Sequence, residues 1–244
     1  MLSRVIGKGL RHVGDPSLFR IGYPSTWGSL SNLARYFRPG GIIDIGAHKG
    51  HWALKASKIF TGVPIHMVEA QEALRADLEA AGFPYTLCLL GAEQAAAVPF
   101  HVDPVWPTGA SVLEEVTAFD RDELALPMRR LDDLQVGLSG PLLLKLDVQG
   151  YELQVLAGAQ ETLKNVEVIM AEVALLEYNK GAPLISEVIA YLSERGFVPY
   201  DIGDMMRRHE DRALFQCDMI FVKKDSQIRI KRKFYEHEIS DVVE

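Results

Sequence analysis

The sequence is poor in cysteine. Only Cys88 and Cys217 occur in 244 residues, so no disulfide framework holds the chain, and its stability has to come from a packed core. Two separated cysteines also fit a reducing compartment. No stretch approaches the ~20 consecutive apolar residues of a membrane span. Basic residues are not in excess: 26 Lys and Arg stand against 33 Asp and Glu, a net charge of −7. Tracking nucleic-acid phosphates requires a basic field, so nucleic acid is not an expected partner. Met1–Gly14 carries Arg4, Lys8 and Arg11 but lacks the apolar centre of a signal peptide, which points to the cytoplasm. Internal repeats and low-complexity tracts are absent as well. What remains is 48% hydrophobic and 24% charged, an ordinary globular composition. The length allows one large domain or two small ones.

The pattern divides the chain into a lead-in segment at 1–39, a regular domain at 40–224 and a charged tail at 225–244. Met1–Leu10 has the spacing of a short amphipathic surface helix. Arg38-Pro39-Gly40-Gly41 is a strong turn signal. From Ile42 onward strands alternate with helices. Strands are expected at 42–45, 64–70, 85–90, 142–147, 166–173, 197–201 and 217–223. Helices are expected at 52–60, 71–81, 151–164 and around 184–192. This alternation predicts βαβ units around one mostly parallel, doubly wound sheet. The last two strands are joined without a clear helix, which predicts an antiparallel hairpin at one sheet edge. Residues 91–141 interrupt the alternation with Pro99, Pro104, Pro107, Pro127 and Pro141. An excursion of that length is expected to cover a site or pack on an edge.

Three clusters carry chemistry. Asp44-Ile45-Gly46-Ala47-His48-Lys49-Gly50 follows a strand and opens a helix. Its glycines permit a tight turn and close ligand approach, and the helix start offers free N–H groups. An acid at Asp44 suits an amino or sulfonium neighbourhood better than a pyrophosphate. Glu69 ends the second strand, where a carboxylate can accept both ribose hydroxyls; NAD and S-adenosylmethionine sites both use that device. Asp147, delivered by a buried strand, is followed by Gly150 and by Glu152 in the first turn of the next helix. Glu152 taken alone reads as a complement to the helix dipole.

The first cluster resembles motif I of class I S-adenosylmethionine methyltransferases, with Asp44, Gly46 and Gly50 matching and His48 at the middle glycine. The stretch Lys145–Ala159 resembles the signature of FkbM-type methyltransferases, which methylate hydroxyls of natural products and sugars. The resemblance continues through Thr108–Leu113, Arg130–Leu134, Ala171–Val173, Tyr178–Gly181, Gly196-Phe197 and Cys217–Val222. It spans about residues 40–224. His48 stands where Asn is common and Gln149 where Glu is frequent. The resemblance implies a Rossmann-like sheet of about seven strands with an antiparallel last strand. It implies S-adenosyl-L-methionine as cofactor, held by Asp44, Gly46, Ala47, His48, Gly50, Glu69, Ala70, Leu90, Ser111 and Asp147.

An alcohol is a poor nucleophile until a base takes its proton. Asp147 is the first candidate for that base and Glu172, at the end of the neighbouring strand, the second. The two could instead hold a divalent cation that lowers the hydroxyl pKa; two carboxylates do not require one. The expected activity is O-methylation of a sugar, glycan or natural product, with a small-molecule or glycan acceptor as partner. The alternatives are an NAD-dependent Rossmann oxidoreductase and a non-catalytic nucleotide-binding module of the same fold. His48 in place of a glycine and the acid before the loop speak against NAD. His101 and Asp103 are placed to line an acceptor pocket or to be surface loop residues. Trp106 either stacks on a sugar face or packs. His66 reads as a packed residue with a satisfied nitrogen.

Overall fold

The computed structural model describes residues 25–103, 109–116 and 121–229. The expected Met1–Leu10 helix, Trp106, Thr108 and most of the charged tail lie outside them. Ten strands are described: β1 (Gly41–Ile45), β2 (Ile65–Glu69), β3 (Tyr85–Leu87), β4 (Leu89–Leu90), β5 (Ala95–Val102), β6 (Asp122–Arg129), β7 (Leu142–Leu146), β8 (Val166–Ala174), β9 (Phe197–Arg207) and β10 (Leu214–Lys223). The helices are α1 (Thr26–Leu33), α2 (His51–Ile59), α3 (Arg75–Ala81), α4 (Glu152–Ala157), α5 (Gln160–Lys164) and α6 (Ile185–Glu194).

Seven strands form one sheet in the order β3-β2-β1-β7-β8-β10-β9. Neighbours from β3 to β8 run parallel, while β10 runs antiparallel to both β8 and β9. The chain moves outward from β1 through β2 to β3, then returns to β7 on the other side of β1. Strand order therefore reverses between β1 and β7, where open α/β sheets bind ligands. Side chains alternate across the sheet. Ile43, Ile45, Leu144 and Leu146 pack with Val155, Leu156, Val188 and Leu192 of α4 and α6. Ile42 and Leu143 pack on the opposite face with Leu30, Leu33, Ala53, Ala56 and Leu78 of α1, α2 and α3. The doubly wound sheet expected from the sequence is present.

Local differences from the sequence pattern have physical causes. Helix α1 falls in the expected lead-in segment, yet Leu30 and Leu33 are fully buried. Its Thr26 Oγ1 donates to Asp218 and accepts from the Asp204 N–H at 2.9 Å. The expected strand at 85–90 divides at Cys88: β3 pairs with β2, while β4 joins a second sheet of order β4-β6-β5. The 91–141 excursion supplies the other two strands of that sheet, which has its own small core of Leu89, Phe100 and Met128. The helix expected at 151–164 breaks after Ala157. A Cβ on Gly158 would lie 2.0 Å from the Gly91 carbonyl, so the close approach of that loop ends the helix. The stretch expected at 71–81 opens with a 3-10 turn at Glu72–Leu74 before α3, and Gly82 closes it with φ 79°. Strands β9 and β10 reach much further than 197–201 and 217–223. The polar positions read as a linker are the outer part of a long edge hairpin, exposed enough to carry no apolar alternation.

Candidate active site

Asp44 and Lys145 stand directly opposite each other in the β1–β7 register, on the same face as Ile42 and Leu143. Asp44 is 0% exposed and Lys145 4%. The Lys145 ammonium lies 3.1 Å from Asp44 and 3.5 Å from Asp147, and donates to the Gly46 carbonyl at 2.8 Å. Burial pushes that ammonium toward its neutral form, but the Asp44 and Asp147 carboxylates outweigh burial and hold it above its ordinary pKa. Lys145 thus ties the loop after β1 to the loop after β7. The same seam contains a bond from the Asp147 N–H to the Ile45 carbonyl, 3.2 Å.

Above this seam lies a cavity of about 770 Å³, inside the ~300–1,000 Å³ range of small-molecule sites. Gly46, Ala47, His48, Glu69, Ala70 and Leu90, all expected at a cofactor, line it. So do both candidate catalytic acids, Asp147 and Glu172, and Asp103 from the excursion. Asp44, Gly50 and Ser111 do not line it. Asp44 sits below the floor, facing Lys145. A Cβ on Gly50 would lie 2.7 Å from the Ala81 Cβ, so this glycine serves the contact between α2 and α3. Ser111 Oγ donates to the Gln149 carbonyl at 2.9 Å and accepts from the Leu113 N–H at 3.0 Å, so it braces the turn after β7. His101 pairs with Ser111 through the backbone. His66 is buried with Nε2 2.8 Å from Thr86 Oγ1, as a packed histidine should be.

Gly46 has φ 72°, and a Cβ there would lie 1.8 Å from the Asp147 carbonyl oxygen. The close approach that this glycine permits is to the protein's own β7 loop. His48 follows with φ 48°. Its N–H donates to Glu69 Oε2 at 2.7 Å, while Glu69 Oε1 accepts from the N–H groups of Ala70 and Gln71, each at 2.9 Å. A carboxylate has about four lone-pair positions. Three are used internally, so the acceptance of two ribose hydroxyls narrows to one. Burial pushes the His48 imidazole below its ordinary pKa, with Glu69 opposing. His48 Nε2 and the Trp52 indole N–H are buried cavity-wall groups without a protein partner.

At the other end of the seam, Gln149 has φ 54°, and its amide donates to both Asp147 Oδ1 and Glu172 Oε2, each at 2.8 Å. The Gln216 amide donates to the second Glu172 oxygen. Burial, then the nearby Asp147 carboxylate, pushes the Glu172 carboxyl well above the usual range. Glu152 is buried too, its Oε1 accepting from the N–H groups of Val148 and Gly150, and burial raises its carboxyl to about 7. Among the described residues, no three His, Cys, Asp or Glu side chains converge to hold a metal ion.

Sequence reasoning gave no role to Lys145, Trp52 or Gln216. A lysine inside the apolar run Leu142–Leu146 was the available signal for Lys145, since a buried ammonium requires an anionic partner. Trp52 and Gln216 carried no comparable signal.

Seven strands in this order, with β10 antiparallel between β8 and β9 and a cavity over the β1–β7 switch point, make the class I methyltransferase fold. The sequence profile of the methyltransferase FkbM domain matches residues 44–199, and the chain belongs to that family. Solved structures of similar fold include the methyltransferase FkbM from Methylobacillus flagellatus KT, with TM-score 0.46 and 15% identity. That match covers 74% of this chain and 43% of the other, so this chain spans less than half of that protein's length. The 1,6-didemethyltoxoflavin-N1-methyltransferase of Burkholderia thailandensis, solved with 1,6-didemethyltoxoflavin and S-adenosylhomocysteine, has TM-score 0.43 and 13% identity, over 91% of this chain and 87% of that one. Precorrin-6y C5,15-methyltransferase from Geobacter metallireducens GS-15 has TM-score 0.43 and 13% identity, over 81% and 87%. No curated protein sequence matches the chain. No helix among the described residues is long and apolar enough to cross a membrane.

Proposed function

We propose that this protein is an S-adenosyl-L-methionine-dependent O-methyltransferase that acts on a hydroxyl of a sugar, glycan or natural product. The observation that carries this reading is the single cavity shared by the Gly46–His48 loop, Glu69, and the Asp147–Gln149–Glu172 cluster. The cavity wall fits the cofactor chemically. Glu69 keeps one acceptor position for a ribose hydroxyl, Leu89 and Leu90 offer an apolar wall, and His48 Nε2 and the Trp52 N–H offer unused polar atoms. When bound, the cofactor supplies a methyl group on a sulfonium, which leaves as a neutral thioether.

Asp147 is the base in this reading. Its side chain is 39% exposed at the cavity, with the Lys145 ammonium beside it. Glu172 is displaced from that role because both of its oxygens already accept amide hydrogens, one from Gln149 and one from Gln216. Glu172 instead anchors the Gln149 amide that fixes Asp147. The Gln149 amide lies between the two acids, and that donor set does not match the six or more oxygens of a calcium-like site, which favours base catalysis over a divalent cation.

Titration calorimetry with S-adenosylmethionine and with NAD tests the cofactor; binding of NAD alone sinks the assignment. Asp147→Asn should retain cofactor affinity within about tenfold while losing ~10²–10⁴-fold in turnover. Undiminished turnover in that variant removes Asp147 as base.

A further inference from the structure

Beyond Asp147 the cavity is walled by a different set of side chains. Glu172 comes from β8, Tyr178 from the segment after it, and Met206, Phe215 and Gln216 from the β9–β10 hairpin. The Tyr178 and Phe215 rings meet edge to face, 5.1 Å between centroids at 89°. Tyr178 is 37% exposed and Met206 55%, so the mouth presents uncovered apolar surface. Aromatic and thioether surfaces of this kind match an apolar ligand face.

Charge is distributed differently. Each lysine and arginine among the described lining residues already faces a carboxylate. Lys49 lies 3.8 Å from Asp77, Arg121 is paired with Glu115, and Lys145 lies between Asp44 and Asp147. Arg121 also donates to the Gly109 carbonyl at 2.8 Å. Even without Glu172, the lining carboxylates Glu69, Asp103, Glu115 and Asp147 outnumber these cations. A phosphate or carboxylate on the acceptor, beside its reacting hydroxyl, would shed its water next to the Asp147 carboxylate, where Lys145 is already paired.

We propose that this compartment takes an uncharged hydroxyl acceptor with an apolar face, seated on Tyr178, Phe215 and Met206 with its hydroxyl toward Asp147. Acceptors with a phosphate, diphosphate or carboxylate beside the reacting hydroxyl are rejected. This rests on the S-adenosylmethionine-dependent reading above.

The test combines calorimetry of S-adenosylmethionine binding with tritiated-methyl transfer to matched acceptors. Phenyl glycosides and neutral cyclic alcohols are set against the corresponding sugar phosphates, nucleotide-diphosphate sugars and uronic acids. Label is expected in uncharged members only. Phe215→Ala should raise the acceptor KM about tenfold with cofactor affinity unchanged, and Phe215→Leu should recover most of it. Transfer to a charged member at equal or higher kcat/KM overturns the proposal. So does cofactor binding without transfer to any uncharged member, or a Phe215→Ala variant that binds cofactor normally and has an unchanged acceptor KM. Failure to bind S-adenosylmethionine overturns the cofactor reading itself, and the acceptor proposal with it.

Discussion

Replacing Gly46 with alanine tests the seam between the β1 and β7 loops. Two penalties combine there. At φ 72° a side chain costs about 1–2 kcal/mol through backbone strain alone. The new Cβ would also lie 1.8 Å from the Asp147 carbonyl oxygen and 2.8 Å from its carbon, so the loops must part. Parting them weakens the 3.2 Å bond from the Asp147 N–H to Ile45 and the 2.8 Å bond from Lys145 to the Gly46 carbonyl. Loss of one buried bond costs about 1–3 kcal/mol. The expected total is about 2–5 kcal/mol, a fall in Tm of roughly 4–20 °C for a chain of this size. Gly82→Ala is the internal control. Its φ is 79°, close to that of Gly46, but nothing lies within 4 Å of the added Cβ. It should cost only the backbone strain, about 1–2 kcal/mol. Urea denaturation of both variants, with calorimetric cofactor binding alongside, separates strain from crowding. If Gly46→Ala falls within about 1 kcal/mol of Gly82→Ala, the reasoning about the seam is refuted.

Glu152→Gln keeps an oxygen for the Val148 and Gly150 N–H groups and removes the buried charge. Burial raises the native carboxyl from 4.5 to about 7, so the native state binds the proton more tightly than the unfolded chain. Its destabilising contribution is therefore full above pH 7 and vanishes as pH falls toward 4.5. The variant should be more stable than the parent by about 3 kcal/mol at pH 8 and nearly equal at pH 4.5; urea midpoints showing the same gap at both pH values would count against this. Lys145→Met leaves the fully buried Asp44 without its counter-charge and should cost about 3–5 kcal/mol. Adding Asp44→Asn should restore most of that loss, and additive effects in the double-mutant cycle would show that the two groups are not coupled.

The sequence was most informative where one residue type has one physical explanation. Short β-branched and leucine-rich runs bounded by glycines read correctly as buried parallel strands. Gly46, Gly50 and Gly82 read correctly as turn positions, and all three have positive φ. The acids Glu69, Asp147 and Glu172 fell at strand ends, and the sheet brings them to one cavity. Reading failed where a residue's meaning depended on a distant partner. Cys88 looks like mid-strand, yet its neighbours pair with different sheets. Nothing near Gly158 announces that Gly91 will press against it. Thr26–Leu33 shows only a modest apolar pattern, and its burial comes from packing beneath the sheet.

By itself, then, the sequence determined the class of fold, the family and the acids at the strand ends, because hydrophobic period, turn glycines and strand-end carboxylates are local properties. Tertiary structure decided what those groups do. It set Asp44, expected at the cofactor, below the cavity beside Lys145. It occupied three of the four acceptor positions of Glu69. It also gave Asp147 and Glu172 different surroundings, because exposure and neighbouring charge depend on side chains that only the folded chain brings together.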